Sequence, residues 1–105
     1  MKEDLLNLIK KYSLATQATE LFWYMFENYK KHEKEEFATY FKDYSEDKIQ
    51  LIITSISYEL TKWPELEGEQ LVVYISVVYD KFPTGRYIIY FDMDGNVKDD
   101  MFKIY

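Results

Sequence analysis

The sequence predicts an α+β fold, with N-terminal helices packed on one face of a C-terminal antiparallel meander of three strands, or four. Three observations predict it. Apolar residues in the first half recur at intervals of three and four, the helical spacing. In the second half they alternate over two runs, Leu71 to Tyr79 and Tyr87 to Met93, around a Pro-Thr-Gly turn signal. The length of 105 residues, with 48% apolar and 30% charged side chains, suits one folding unit with a core of its own. Residues 1–105 therefore read as a single α+β domain, and no repeat, low-complexity tract or linker divides them.

The first helix is short, with Leu5, Leu8, Ile9 and Tyr12 on one side. Ser13 or Thr16 is placed to cap the next. In that second helix Leu14, Ala18, Leu21, Phe22, Met25, Phe26 and Tyr29 form a core-facing stripe. Lys30, Lys31 and His32 close it, where positive charge suits the helix dipole. Residues 33–44 continue that helix or begin another, with Phe37, Tyr40, Phe41 and Tyr44 on one side.

Residues 45–63 carry two patterns. Ser45 is a plausible N-cap, Glu46 and Asp47 suit a helix start, and Ile49, Ile52, Ile53, Ile56, Leu60 and Trp63 follow at helical spacing up to Pro64. The abundance of Ile, Thr, Ser and Tyr favours a strand instead, with Ile52, Thr54, Ile56, Tyr58 and Leu60 sharing a face. The helical spacing, held over five turns, tips the expectation towards helix. Residues 65–69 read as a loop.

The sheet follows. One strand is expected from Gln70 to Asp80 and the next from Arg86 to Met93, joined by Lys81 to Gly85. This register sets Val73, Ile75, Val77 and Tyr79 against Met93, Phe91, Ile89 and Tyr87. Its other face pairs Asp80 with Arg86, Val78 with Ile88, Ser76 with Tyr90 and Tyr74 with Asp92. Asp94-Gly95 is a hairpin turn. A last strand begins at Val97, and a bulge between Val97 and Phe102 would bring its apolar residues to one side.

Composition excludes several functions. There is no cysteine, so disulfides, thiolate metal sites and thiol catalysis are out. The net charge of −6 and the isoelectric point of about 4.8 disfavour unaided binding to nucleic acid or anionic membrane and suit a basic partner. Lys30, Lys31, Lys34 and Arg86 form no basic stripe, because Glu27, Glu33, Glu35 and Glu36 alternate with them. No apolar run spans a bilayer and the N-terminal residues lack a signal layout, so a cytoplasmic location is expected. The one histidine, His32, stands in a charged run, and the acidic pairs read as solvated surface.

Ile88-Ile89-Tyr90-Phe91-Asp92-Met93-Asp94-Gly95-Asn96-Val97 resembles the first motif of haloacid-dehalogenase-type phosphatases. That resemblance implies Asp92 as nucleophile, Asp94 as general acid/base, and magnesium between them. It also implies a parallel sheet, a later lysine and further acidic ligands, for which the ten residues from Asn96 to Tyr105 leave no room. Asp92, Asp94 and Asn96 likewise fit positions one, three and five of a calcium loop. Val97 then stands where glycine is needed and Lys103 where a bidentate Glu is needed. Weak divalent binding by Asp92, Asp94, Asp99 and Asp100 is the most this pattern permits. No catalytic residue, metal set or cofactor is therefore expected, and the string reads as a turn.

The 11 tyrosines, 7 phenylalanines and 2 tryptophans exceed what one small core easily holds. Tyr74 and Tyr90 fall on the polar face of the expected hairpin, and Trp23 and Tyr24 fall off the main stripe of the second helix. These rings either pack against neighbouring elements or form a binding surface in an acidic field. The stretch Tyr87 to Phe102 resembles the C-terminal meander of small immunity-type proteins of low-GC Gram-positive bacteria, with an aromatic strand, an Asp-Gly turn, Asp-Asp and an aromatic. That resemblance implies neutralisation of a toxin by binding.

The function expected is a non-enzymatic protein-binding module, an immunity or inhibitor protein that occludes a partner. Its candidate contacts are Tyr74, Tyr90, Asp92, Asp94, Asp99 and Asp100, with Trp23 and Tyr24 as a second patch. The partner expected is a protein, basic in character, such as a toxin or a nucleic-acid-handling enzyme. Two alternatives stand beside it: a self-associating domain, in which a homodimer buries the rings, and a small-ligand binder with an aromatic-lined pocket between helix and sheet.

Overall fold

The computed structural model describes residues 2–62, 64–65 and 67–105. Three helices, α1 (Lys2–Lys11), α2 (Leu14–His32) and α3 (Lys34–Tyr40), precede a four-stranded antiparallel meander. Its strands β1 (Ile49–Thr61), β2 (Gly68–Tyr79), β3 (Phe82–Phe91) and β4 (Val97–Ile104) lie side by side in chain order. The α+β class and the helices-then-meander order are those expected from the sequence.

α1 follows its charge pattern, with Glu3 and Asp4 in the first turn and Lys10 and Lys11 in the last. Leu5, Leu8, Ile9 and Tyr12 pack at the core's margin. Ser13 takes a left-handed conformation (φ 51°) between α1 and α2 and makes no side-chain cap, while Thr16 lies inside α2. Neither residue caps as expected, because a side-chain cap needs an extended backbone at its own residue and Ser13 is left-handed, while Thr16 is already helical. Leu14, Ala18, Phe22 and Phe26, each four apart, are the residues α2 buries fully. At Glu33 the backbone leaves helical geometry, and α3 adds buried Phe37, followed by buried Phe41. Tyr40 points outward instead, 45% exposed.

Residues 49–61 form a strand, not a helix. The reason is visible in the register. Ile49, Leu51 and Ile53 pair with Tyr79, Val77 and Ile75. After a one-residue irregularity at Thr54, Ile56 and Tyr58 pair with Val73 and Leu71. The bulge joins two alternating runs out of phase, and the resulting spacing imitates a helical stripe. The expected strand face, which grouped Ile52 and Thr54 with Ile56, Tyr58 and Leu60, is broken by the same bulge. Ser45 precedes only a single 3-10 turn, Glu46–Lys48. Trp63, the last residue of the expected stripe, lies outside the described residues.

The β2–β3 hairpin is tighter than expected. Its turn is Asp80-Lys81, both at positive φ (49° and 71°), and Tyr79 pairs directly with Phe82. Ile75 therefore faces Tyr87 and Val73 faces Ile89, in place of Phe91 and Met93. The displacement is an even number of residues, so the side chains that remain in the two strands keep their expected faces, while Asp80, Asp92 and Met93 fall outside them. Pro83 and Gly85 lie within β3 beside an irregularity opposite Val77 and Val78, the kind of place where a strand tolerates proline. At Gly85 a Cβ would come within 2.6 Å of the Lys103 carbonyl oxygen, so β4 runs close only because the side chain is missing.

The β3–β4 connection is the expected Asp-Gly turn, with Gly95 at φ 83°. The Gly95 amide donates to the Asp92 carbonyl (3.1 Å), and the Asp92 amide donates to the Asn96 carbonyl (2.8 Å). The expected bulge is present: Phe91 pairs with Val97 and Tyr90 with Asp99, leaving Lys98 as the extra residue.

One core lies between the helices and the sheet. α2 and α3 meet Leu71, Val73, Ile75 and Val77 of β2 and Tyr87, Ile89 and Phe91 of β3. Phe26 is its centre, 5.1 Å from Phe22, 5.0 Å from Phe41 and 5.5 Å from Phe37, centroid to centroid. The core thus absorbs many of the rings that the composition seemed to leave over.

Candidate functional site

The helices cover one face of the sheet only. The other face carries Ser57 and Glu59 from β1, Gln70, Val72, Tyr74 and Ser76 from β2, Arg86, Ile88 and Tyr90 from β3, and Asp99, Met101 and Lys103 from β4. At its centre Val72 stands opposite Tyr90, and Tyr74 opposite Ile88. Each aliphatic residue faces a tyrosine, a favourable cross-strand combination. Val72 (0% exposed) and Ile88 (4%) are buried although no helix covers them. The two half-buried rings and their neighbours roof them over, leaving edges and hydroxyls at the surface.

A polar network frames this centre. Tyr74 Oη donates to Glu59 Oε2 (3.1 Å), Gln70 Nε2 donates to Glu59 Oε1 (3.1 Å), and Ser57 Oγ donates to Glu59 Oε2 (3.2 Å). Lys98 Nζ donates to Gln70 Oε1 (3.5 Å), so the network runs from β1 to β4. Burial, then the Glu59 carboxylate, raises the Tyr74 phenol above its ordinary pKa and keeps it a donor. Two grooves flank the tyrosines. One, of about 380 Å³, is lined by Gln70, Tyr90, Lys98, Asp99 and Met101, and the other, of about 220 Å³, by Thr54, Ser55, Tyr74, Ser76, Arg86 and Tyr105 among others.

The residues singled out from sequence divide among several places. Tyr74, Tyr90 and Asp99 meet on the open face, with Tyr90 directly opposite Asp99. Asp92 belongs to the turn: its Oδ1 accepts the amides of Asp94 and Asn96, both at 2.9 Å. Those backbone donors, Asn96 first, hold its carboxyl below the usual range. Asp94 is exposed at the turn's tip. Asp100 lies across from Ile89 on the helix-side face, where it accepts the Tyr87 hydroxyl at 2.5 Å. Trp23 packs edge-on against Phe22 (5.2 Å) at the core's margin, and Tyr24 is 73% exposed on the outside of α2. Trp23 and Tyr24 thus form no joint patch with the sheet.

The open face is also not uniformly acidic. Glu59 and Asp99 lie towards one end, and Arg86 stands opposite Lys103 towards the other. Sequence reasoning missed Glu59, Gln70 and Met101. The signal for Glu59 was the alternation of the first strand, which the bulge at Thr54 concealed.

The phosphatase resemblance finds no support in the sheet, since β3 lies between two antiparallel neighbours. Among the described residues no three His, Cys, Asp or Glu side chains gather to hold a metal ion, and no helix is long and apolar enough to cross a membrane. A further cavity of about 390 Å³ lies between the helices and β4, lined by Met25, Asn28, Tyr29, His32, Glu36, Phe102 and Ile104. The Tyr29 hydroxyl there is buried without a hydrogen bond of good geometry. Burial, then the nearby Glu36 carboxylate, raises its pKa. The chain matches no protein-family model, no curated protein and no solved structure.

Proposed function

We propose that the protein is a non-catalytic binding module that grips a protein partner with the helix-free face of its sheet, in the manner of an immunity or inhibitor protein. One observation carries this reading. A whole sheet face is left without a helical layer, and its centre is closed by Tyr74 and Tyr90 over Val72 and Ile88, with exposed Met101 and a groove alongside. Amphipathic rings held rigidly, an accessible methionine and a polar rim are the usual ingredients of a contact hot spot. Asp99 and Glu59 favour a basic group on the partner at that end of the face.

The test is photo-crosslinking from position 90 in cells of the source organism, with position 24 as control, then reconstitution from purified components. Tyr90→Phe and Met101→Glu should each weaken the reconstituted complex at least tenfold while the far-UV spectrum of the free protein holds. Capture from position 24 alone, or a complex indifferent to both variants, overturns the reading.

A second reading, small-ligand binding, is favoured by the cavity beside Tyr29, which Phe102 and Ile104 line on the β4 side. A fragment screen by amide NMR separates the two. Shifts clustered at residues 25–36 and 102–104 support it, and shifts on the open face support the first reading.

A further inference from the structure

The two edges of the sheet are built differently. β4 is guarded in the ordinary way, with Lys98, Asp99, Asp100 and Lys103 among its eight residues and a bulge near its start. β1 has thirteen residues and one charge, Glu59, which is already engaged by Gln70, Tyr74 and Ser57. Ile52 (43%), Ile53 (36%) and Leu60 (49%) are exposed along it. A long, neutral, apolar edge with unpaired backbone groups is a template for another strand.

The bulge at Thr54 decides which strand fits. It places Ile49, Leu51 and Ile53 on the helix-side face, then Ile56, Tyr58 and Leu60 on that same face. Counted outward from the junction of Thr54 and Ser55, the two sets mirror each other. Gln50 and Ile52 mirror Glu59 and Ser57 on the open face. β1 is therefore palindromic in the property that governs antiparallel pairing, namely which side chains share a face. A bulge normally protects an edge, but one that sits on the centre of symmetry fixes the register.

We infer that β1 pairs antiparallel with β1 of a second copy of this chain about a two-fold axis between Thr54 and Ser55, joining two four-stranded sheets into one of eight. In this register Ile53 meets Ile56 of the second copy, Leu51 meets Tyr58 and Ile49 meets Leu60, all towards the helices. Gln50 meets Glu59 and Ile52 meets Ser57 on the open side. No like charges oppose one another along β1, which matters for a chain of net charge −6. The contact is isologous, so it closes at two copies.

The inference goes beyond the binding face and uses none of its central residues. Sedimentation equilibrium of the full chain should show a dimer at micromolar concentration. Ile53→Lys, at an exposed position beside the axis, should give a folded monomer with the wild-type far-UV spectrum, whose melting temperature no longer rises with protein concentration. Gln50→Glu, which sets a like charge against Glu59 of the second copy, should weaken association at least tenfold. Because the chain has no cysteine, Ile53→Cys with Ile56→Cys should oxidise to a covalent dimer. Met101→Glu should leave the dimer intact. A monomer at millimolar concentration, a dimer indifferent to Ile53→Lys, or a dimer lost on Met101→Glu overturns the proposal.

Discussion

Single residues at the β3–β4 turn show how local chemistry and distant packing combine. Asp92 accepts two backbone N–H groups with one carboxylate oxygen, which stabilises its charged form. A carboxyl whose folded pKa is depressed contributes stability above its unfolded pKa, about 4, and loses it as pH falls through the lower folded value. Asp92→Asn keeps an acceptor at the turn without the charge. Its unfolding free energy should therefore fall less steeply than that of the wild type below pH of about 4, as measured by urea titration. Gly95 adds a second constraint, with φ 83° and the Tyr12 ring where a Cβ would go. Gln17 Nε2 ties the same place together by donating to the Tyr12 carbonyl (2.6 Å) and the Gly95 carbonyl (3.3 Å). Gly95→Ala should destabilise by about 2–3 kcal/mol in chemical denaturation, from backbone strain and overlap together. The turn was legible in Asp94-Gly95, because the conformation needs those residue types. Its docking on Tyr12 was not, because nothing local links residues so far apart in the chain.

Among the elements, legibility followed phase. α2 was readable because its buried residues keep one period from Leu14 to Phe26. β1 was misread because an inserted residue changes phase in mid-strand, and a single period cannot describe it. The β2–β3 turn was misplaced for a different reason. Pro83 and Gly85 advertise a reversal, yet the chain reverses at Asp80-Lys81, two residues with no sequence mark of a left-handed turn apart from the aspartate. Lys81 bears a steric cost at φ 71° that glycine avoids. Lys81→Gly should therefore stabilise the protein by about 1 kcal/mol in thermal or urea unfolding, since the turn geometry is already the one that suits the twist of a two-residue hairpin. The candidate site depended on the same phases: Tyr74 and Tyr90 were placed on the correct face despite a wrong register, while Glu59, beyond the bulge, was overlooked.

At the scale of the molecule, stability rests on one aromatic core between two layers. Phe26 touches rings from α2 and α3, so Phe26→Ala should cost about 3–5 kcal/mol, read as a lower denaturation midpoint. Alkali offers a second probe. Tyr29 and Tyr87 are held protonated in the fold, first by burial and then by Glu36 and Asp100 respectively. Phenols raised in this way contribute fully below their unfolded pKa of about 10, and that contribution is lost as pH climbs towards the folded values. Unfolding free energy should hold up to pH of about 10 and decline above it, and Tyr87→Phe should soften the decline. The order of the layers has a consequence for biosynthesis. All three helices precede the sheet, so the phenylalanines of α2 leave the ribosome before the strands that shelter them have been made. A nascent chain stalled before β2 presents an adhesive row of rings with nothing to cover it, and is the species most in need of a chaperone.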